Sequence, residues 1–440
     1  MNLRPFQIIL IGIFAALAVG GVIFFSVFRG FGSTPNPYGT SVMIWGTLDA
    51  STFSAVISTI SSADGNFKVV SYIQKDPRTF HDELVNAVAE GRGPDAIVLT
   101  SDALVSERAK IYPIPYATLP LRNIKDTYVD GAEIFSLSDG MYGFPFAVDP
   151  LVMYWNRDIF SSAGLAAPPA TWEEIVSKIV PRLVKLKPNQ VFAIDKSALA
   201  FGEYANVQNA PEVLLTLLLQ AGSPLITESA NGYNVSINQS AVQTGRPPAD
   251  AALDFYTQFA NPARPIYTWN RSLPTDRNAF LSEDLALYFG FGSEYASLRA
   301  SNPNLNFDAA QIPQGSGVTI KKSYGKFYAL SVLRSSKNVA GAYLAIAKLG
   351  GVNDQGERAS ALALGLGLAP TDRAALALGN PDPFRQTMYT MALIARGFLN
   401  PNPSGTENII KTMIEDVTSG RRPVSQAVSD AADRFNQLLR

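Results

Sequence analysis

The sequence predicts an α/β protein of two compact lobes behind one N-terminal membrane helix. Three observations predict it. The chain has 440 residues, more than one ordinary core accommodates, and 47% of them are hydrophobic. Residues 41–100 alternate strand-like and helix-like segments, the pattern of a parallel sheet covered by helices. Phe6 to Phe28 (FQIILIGIFAALAVGGVIFFSVF) carries no charge and is long enough to cross a hydrocarbon core as a helix.

The N-terminal helix is expected to remain as an anchor. A cleaved signal has a shorter apolar stretch ending at small residues. Ala16-Leu17-Ala18 could mimic a cleavage site, but the apolar run continues to Phe28. Residues 1–29 are therefore read as anchor and 30–39 (GFGSTPNPYG) as a flexible linker. This makes a single-pass protein with one large soluble domain; Arg4 before the helix and Arg29 after it leave its orientation open.

Within the soluble part, Ser41–Trp45 reads as a buried strand. Ala50–Ser62 reads as a helix, with Phe53, Val56, Ile57 and Ile60 at helical spacing. Phe67–Tyr72 is a second strand, and Thr79–Ala89 a second helix. Gly91–Thr100 is a turn and a third strand. Gly143-Phe144-Pro145 is a short extended piece, and after Pro150 a new strand covers Leu151–Trp155. Thr171 and Glu174 form a capping box. Helices follow at Glu212–Leu219 and Ala249–Phe259. Leu281–Phe289 leads into the Gly-rich turn GFGSEY at 290–295. Asn306–Pro313 and Lys326–Leu333 read as strands, and Val339–Leu349 as a helix. Two amphipathic helices around Gly420 close the chain.

Composition excludes several classes of function. Lys+Arg 36 nearly balances Asp+Glu 37, and no basic run marks a nucleic-acid surface. There is no cysteine, which removes disulfides, thiolate metal sites and cysteine nucleophiles. His81 is the single histidine. No phosphate-binding loop, G-x-S-x-G elbow or dinucleotide fingerprint occurs. No cofactor and no metal are expected.

Six segments, in order, resemble the family 1 extracellular solute-binding proteins, the group that includes the maltose-binding proteins. They are GRGPDAIVL (91–99), YGFPFAVDPLVMYWNRDIFSSAGLAAPPATWEEI (142–175), FLSEDLALYFGFGSEY (280–295), SSKNVAGAYLAIAKL (335–349), LGLAPT (366–371) and TSGRRPVSQAVSDAADRFNQLL (418–439). The chain departs from the family pattern at Trp155, where tyrosine is usual, and in GFGSEY, which lacks the usual tryptophan. The resemblance implies a two-lobed periplasmic-binding-protein-like fold of type II, with ligand held between lobes. It implies discontinuous lobes, 40–147 with 304–350 and 148–303 with 351–440, hinged near Ala147–Pro150. It also implies a sugar or oligosaccharide ligand, the permease subunits of an ABC transporter as partners, and a soluble domain outside the cell membrane.

Sugars present apolar ring faces and hydroxyl edges, which aromatic rings and carboxylates recognise. Position selects the candidates. Trp45 ends the first strand and Gly46 follows it, and Ser101 and Asp102 follow the third, at the carboxyl ends where such sheets bind ligands. Phe146 and Asp149 stand at the expected hinge, Trp269 in a Pro/Asn-rich loop, and Phe291, Ser293 and Tyr295 around the Gly turn. Each also has a plainer role open to it: core packing for the aromatics, and a cap or turn for the aspartates, Asp149 preceding Pro150. Asp49 is better placed to cap the helix at Ala50. Two other functions stay open. One is a carbohydrate-active enzyme, which needs two carboxyls flanking the ligand. The other is a membrane-tethered receptor or scaffold without a transporter.

Overall fold

Strand β1 (Val42–Gly46) pairs in parallel with β2 (Val70–Gln74) on one side and β3 (Ala96–Thr100) on the other. The computed structural model describes residues 35–439 except 224, 230–231, 240–245, 353 and 355. The expected anchor at 1–29 lies outside the described residues, as does the linker up to residue 34. Among the described residues no helix is long and apolar enough to cross a membrane.

Helix α1 (Ala50–Ala63) starts where the Asp49 carboxylate accepts the Thr52 N–H at 2.9 Å, and it buries Phe53 and Ile60 against the sheet. Helix α2 (Phe80–Ala89) buries Leu84. The second strand begins later than expected. Asp64 caps a tight turn over Gly65–Val69, so only Val70 onward is free to pair with β1.

The largest correction concerns β4. The two short pieces expected around Pro150 form one strand, Phe144–Asn156. Its first half pairs with β10 (Ser323–Val332), ending at Gly325↔Pro150. Its second half pairs with β8 (Leu285–Phe291), beginning at Leu151↔Phe291, and with β9 (Phe307–Ala310). Pro150 therefore sits where one partner strand gives way to another, and its missing N–H interrupts no continuous ladder. Pro145 falls at the register shift between Tyr328 and Ala329. With β5 (Ile194–Leu199) parallel to β8, the sheet runs β2-β1-β3-β10-β4-β8-β5. A separate hairpin joins β6 (Ile226–Ser229) and β7 (Gly232–Val235).

Helix α3 (Ala210–Ala221) buries the unbroken run Val213 to Leu218 and stops at Gly222, whose φ of 85° suits glycine. Full burial of each such leucine contributes about 1.5–3 kcal/mol. Helix α4 (Pro248–Gln258) packs beside it, and α5 (Glu294–Ser301) follows the Gly turn. Then come α6 (Val339–Leu349), α7 (Glu357–Gly365), α8 (Pro383–Ile394), α9 (Pro403–Thr418) and α10 (Val424–Leu438).

The apolar side chains form two cores. The first takes residues from Tyr38 to Val148 and from Phe327 to Ala395. The second takes Leu151 to Tyr324, Met391, and Phe398 to Phe435. The chain thus passes between them near 148–151, 324–327 and 395–398. This division departs from the expected boundaries. Leu305, Phe307, Ala309 and Ile312 join the second core, because β9 pairs with Met153–Asn156 at the far end of β4. Ala359, Leu362 and Ala363 of α7 join the first, against α1 and β4.

Candidate functional site

A polar cavity of about 270 Å³ opens between elements of the two cores. The short turn after β3 brings Asp102. Alternate positions of β10 bring Tyr324 and Lys326. The loop after β5 brings Tyr204, and the start of α3 brings Gln208, Pro211, Glu212 and Leu215. Phe398 and Asn400 come from the loop before α9, and Thr406, Glu407 and Ile410 from α9.

Asp102 is held from two sides. The Tyr324 hydroxyl donates to its Oδ1 at 2.8 Å, and the Lys326 ammonium lies 3.0 Å from its Oδ2. The carboxylate raises the Lys326 pKa, and burial drives that of Tyr324 well above the ordinary phenol value. Glu212 is different. Desolvation pushes its carboxyl up to about 7, helped by Asp102 and opposed by Lys326. Glu407 accepts from the Tyr204 hydroxyl at 2.7 Å, and Lys411 stands 5.6 Å from the Tyr204 ring centroid. The arrangement offers hydroxyl-binding carboxylates and the two amides of Gln208 and Asn400 beside an apolar wall of Leu215, Phe398 and Ile410.

Of the ten residues expected from sequence, Asp102 lines this cavity. Its neighbour Ser101 is fully buried and accepts the Phe327 N–H at 3.1 Å, tying β3 to β10. Phe291 lies edge-on to Tyr324, with ring centroids 6.3 Å apart. Asp149 is buried and turned toward the Gly turn, where its Oδ1 accepts the Ser293 N–H at 3.0 Å; burial raises its pKa to about 7. Ser293 and Tyr295 line a second cavity of about 230 Å³, with Leu364, Met388 and Tyr389. There Tyr295 stacks on Phe384 at 3.9 Å.

The remaining four are packed into the body of the protein. Trp45 keeps 8% of its surface exposed, with Lys75 Nζ 3.9 Å above its ring and its Nε1–H toward the Met43 sulfur. At Gly46 a Cβ would come within 2.7 Å of the Tyr72 hydroxyl and 2.8 Å of Val98. Phe146 is fully buried between Phe53 and Tyr328. Trp269 is 1% exposed and donates from Nε1 to Asn206 at 3.2 Å, deep in the second core.

Sequence reasoning passed over Tyr204, Gln208, Glu212, Tyr324, Lys326 and Glu407. One signal was available for two of them. Tyr324 and Lys326 are two apart on a strand and so share a face, and a lysine on an otherwise apolar strand needs a counter-charge.

Comparison with known proteins agrees with this architecture. A cyclo/maltodextrin-binding protein solved with maltotetraose superposes with a TM-score of 0.72 at 15% identity, covering 92% of this chain and 98% of that one. An ABC transporter solute-binding protein of Thermotoga lettingae solved with α-D-tagatose gives 0.63 at 19% identity, covering 91% and 100%. A receptor of Streptomyces glaucescens, solved unliganded and with acarbose, gives 0.65 at 16% identity, covering 91% and 98%. These similarities establish the two-lobed α/β fold. Three proteins named as binding proteins, two from Brucella abortus strains and one from Brucella suis, are 46% identical over 41 residues, 9% of this chain. That match spans only 10% of their own length. The profile of the bacterial extracellular solute-binding proteins matches residues 57–347, well over half of the sequence. The chain belongs to that family.

Proposed function

We propose that this protein captures a sugar or oligosaccharide outside the cytoplasmic membrane and delivers it to the permease subunits of an ABC importer. The observation that carries the proposal is the polar cavity between the two cores. Its carboxylates, amides and apolar wall match the hydroxyl edges and ring faces of a sugar. The structural neighbours solved with maltotetraose, tagatose and acarbose support the same ligand class. Capture works by rotation of the two lobes about the three chain crossings, and a ligand drives closure only through tighter binding to the closed form. The apolar segment Phe6–Phe28 holds the protein at the membrane.

Binding rather than turnover is the chemistry supported. Asp102 is neutralised by Lys326, and Asp149 faces Ser293 rather than the cavity, so these two do not form an opposed acid–base pair around a ligand. Mass spectrometry of co-purified ligand, followed by calorimetry with a panel of neutral oligosaccharides, tests the function. Saturable binding without cleavage is expected. Hydrolysis lost on Asp102→Asn overturns the binding reading. Retention in the membrane fraction after an alkaline wash tests the anchor, and a mature N-terminus near residue 19 refutes it.

A further inference from the structure

The cavity holds more negative charge than its own cations offset. Asp102, Glu212 and Glu407 line it, and Lys326 is the cation among the lining residues. Lys326 is already committed to Asp102 at 3.0 Å, and Asp102 is further satisfied by Tyr324. Glu407 accepts from Tyr204. Glu212 accepts no side-chain hydrogen bond from another residue among the described residues. Beyond the lining, Lys411 lies against the Tyr204 ring, and Arg271 is paired with Glu203 at 3.0 Å.

A carboxylate in a confined site with only its own backbone N–H as donor is costly, and so is an ammonium ion brought out of water alone. Each removes the other's cost, and hydrogen bonds between ionised partners are about twice as strong as neutral ones. Resting on the sugar-binding reading above, we infer that the solute is an amino sugar carrying a free, protonated amine, with Glu212 as the residue that selects it. Glu407 provides the second acceptor, and Leu215, Phe398 and Ile410 the surface for the ring face. An N-acetylated or simple hydroxyl analogue can donate only a neutral hydrogen bond to Glu212, so it forgoes the charge-assisted bond that the ammonium makes.

The protonation of Glu212 adds a second signature. Around it stand Asp102 of the first core, Lys326 and Tyr324 on β10, Glu407 on α9, Tyr204 in the loop after β5 and Tyr256 on α4. Burial holds the empty carboxyl protonated up to about 7. A bound ammonium favours the ionised form, so amine capture releases a proton and weakens as pH falls through about 7. A neutral sugar has no such dependence on Glu212.

The test is calorimetry on the full chain with three β-1,4-linked disaccharides, of glucosamine, N-acetylglucosamine and glucose, beside the neutral panel. The glucosamine disaccharide is expected to bind at least tenfold more tightly than the other two at pH 7, with proton release read from buffers of different ionisation heat. Glu212→Gln should lose at least tenfold for the glucosamine disaccharide and the proton release, while its melting temperature shows the protein folded. Glu407→Gln should give a smaller loss. Equal or tighter binding of a neutral or N-acetylated sugar overturns the inference and leaves sugar capture standing. An amine preference unchanged in Glu212→Gln overturns the role of Glu212. Silence from every sugar, charged and neutral, overturns the sugar reading and the inference with it.

Discussion

Arg108 and Glu228 join the two lobes by an ion pair of 3.0 Å. Arg108 follows β3 on the first-core side, and Glu228 stands on β6 of the hairpin that packs with the second core. The same guanidinium donates to the Tyr233 hydroxyl across the divide and to Asp139 and Tyr142 on its own side. Glu228 in turn accepts from the backbone N–H and hydroxyl of Ser138 at 2.8 and 2.9 Å. Breaking this link should loosen the lobe arrangement seen here. Arg108→Ala is expected to enlarge the radius of gyration of the ligand-free protein in small-angle scattering. The pair is partly exposed, so 1 M salt should reproduce part of the effect in the wild type. Identical scattering of mutant and wild type at low salt would show that the lobes are held by other contacts.

Asp149 gives stability a pH dependence. Its folded-state carboxyl is raised to about 7 by burial, above the value of 3.8 it has when exposed. Folding therefore favours the protonated form. The contribution is fully present below about pH 4 and is lost as pH rises through 7. Glu212 and Asp276, also raised to about 7, act in the same sense. Asp149→Asn keeps an oxygen for the Ser293 N–H and removes the titration. Its melting temperature relative to wild type should rise between pH 5 and 8, by the equivalent of about 2–3 kcal/mol. A constant difference across that range would contradict the assignment.

Asp102→Asn strips Lys326 of its counter-charge while keeping the shape of the site. Loss of one partner from a covered pair costs up to about 3–5 kcal/mol when fully buried. The Lys326 side chain retains 36% exposure, which reduces this to about 1–2 kcal/mol. Chemical denaturation should show that loss. Ligand affinity should fall at least tenfold, because a freed lysine also adds positive charge beside the site.

Gly46→Ala tests whether that glycine serves packing. The added methyl meets the Tyr72 hydroxyl and Val98 at distances side chains do not occupy. Destabilisation by about 1–3 kcal/mol is expected from overpacking. Affinity per folded molecule should stay near wild type. Full stability with lost binding would instead return Gly46 to the site.

Much of the fold was legible in the residues because local signals and burial agreed. Asp49 before Ala50, Thr171 with Glu174 and Gly420 between the last helices each mark a boundary through chemistry that acts over a few residues. β4 was misjudged because proline is a local sign of interruption, and whether it interrupts depends on which strand lies opposite. The pairings Gly325↔Pro150 and Leu151↔Phe291 involve partners far along the chain. The site was harder for the same reason. Asp102 stood out by its place after a strand, but Glu212 looks like an ordinary first-turn acid of α3, and Glu407 like any exposed glutamate of α9. Their meeting with Lys326 is a property of the chain crossings. Trp269 drew attention by residue type and loop composition, neither of which encodes that it lies in the core against Asn206.

The position of β10 bears on how the protein comes to exist. This strand lies between β3 and β4, in the middle of the sheet, yet it begins at Ser323. During synthesis at about 5–20 residues per second, β3 and β4 wait on the order of ten seconds or more for the strand that separates and pairs them. Until it arrives, β3 and the first half of β4 lack the strand that pairs them. Such distant pairing makes folding slow. The first half of the sheet thus stays open until most of the chain has been made.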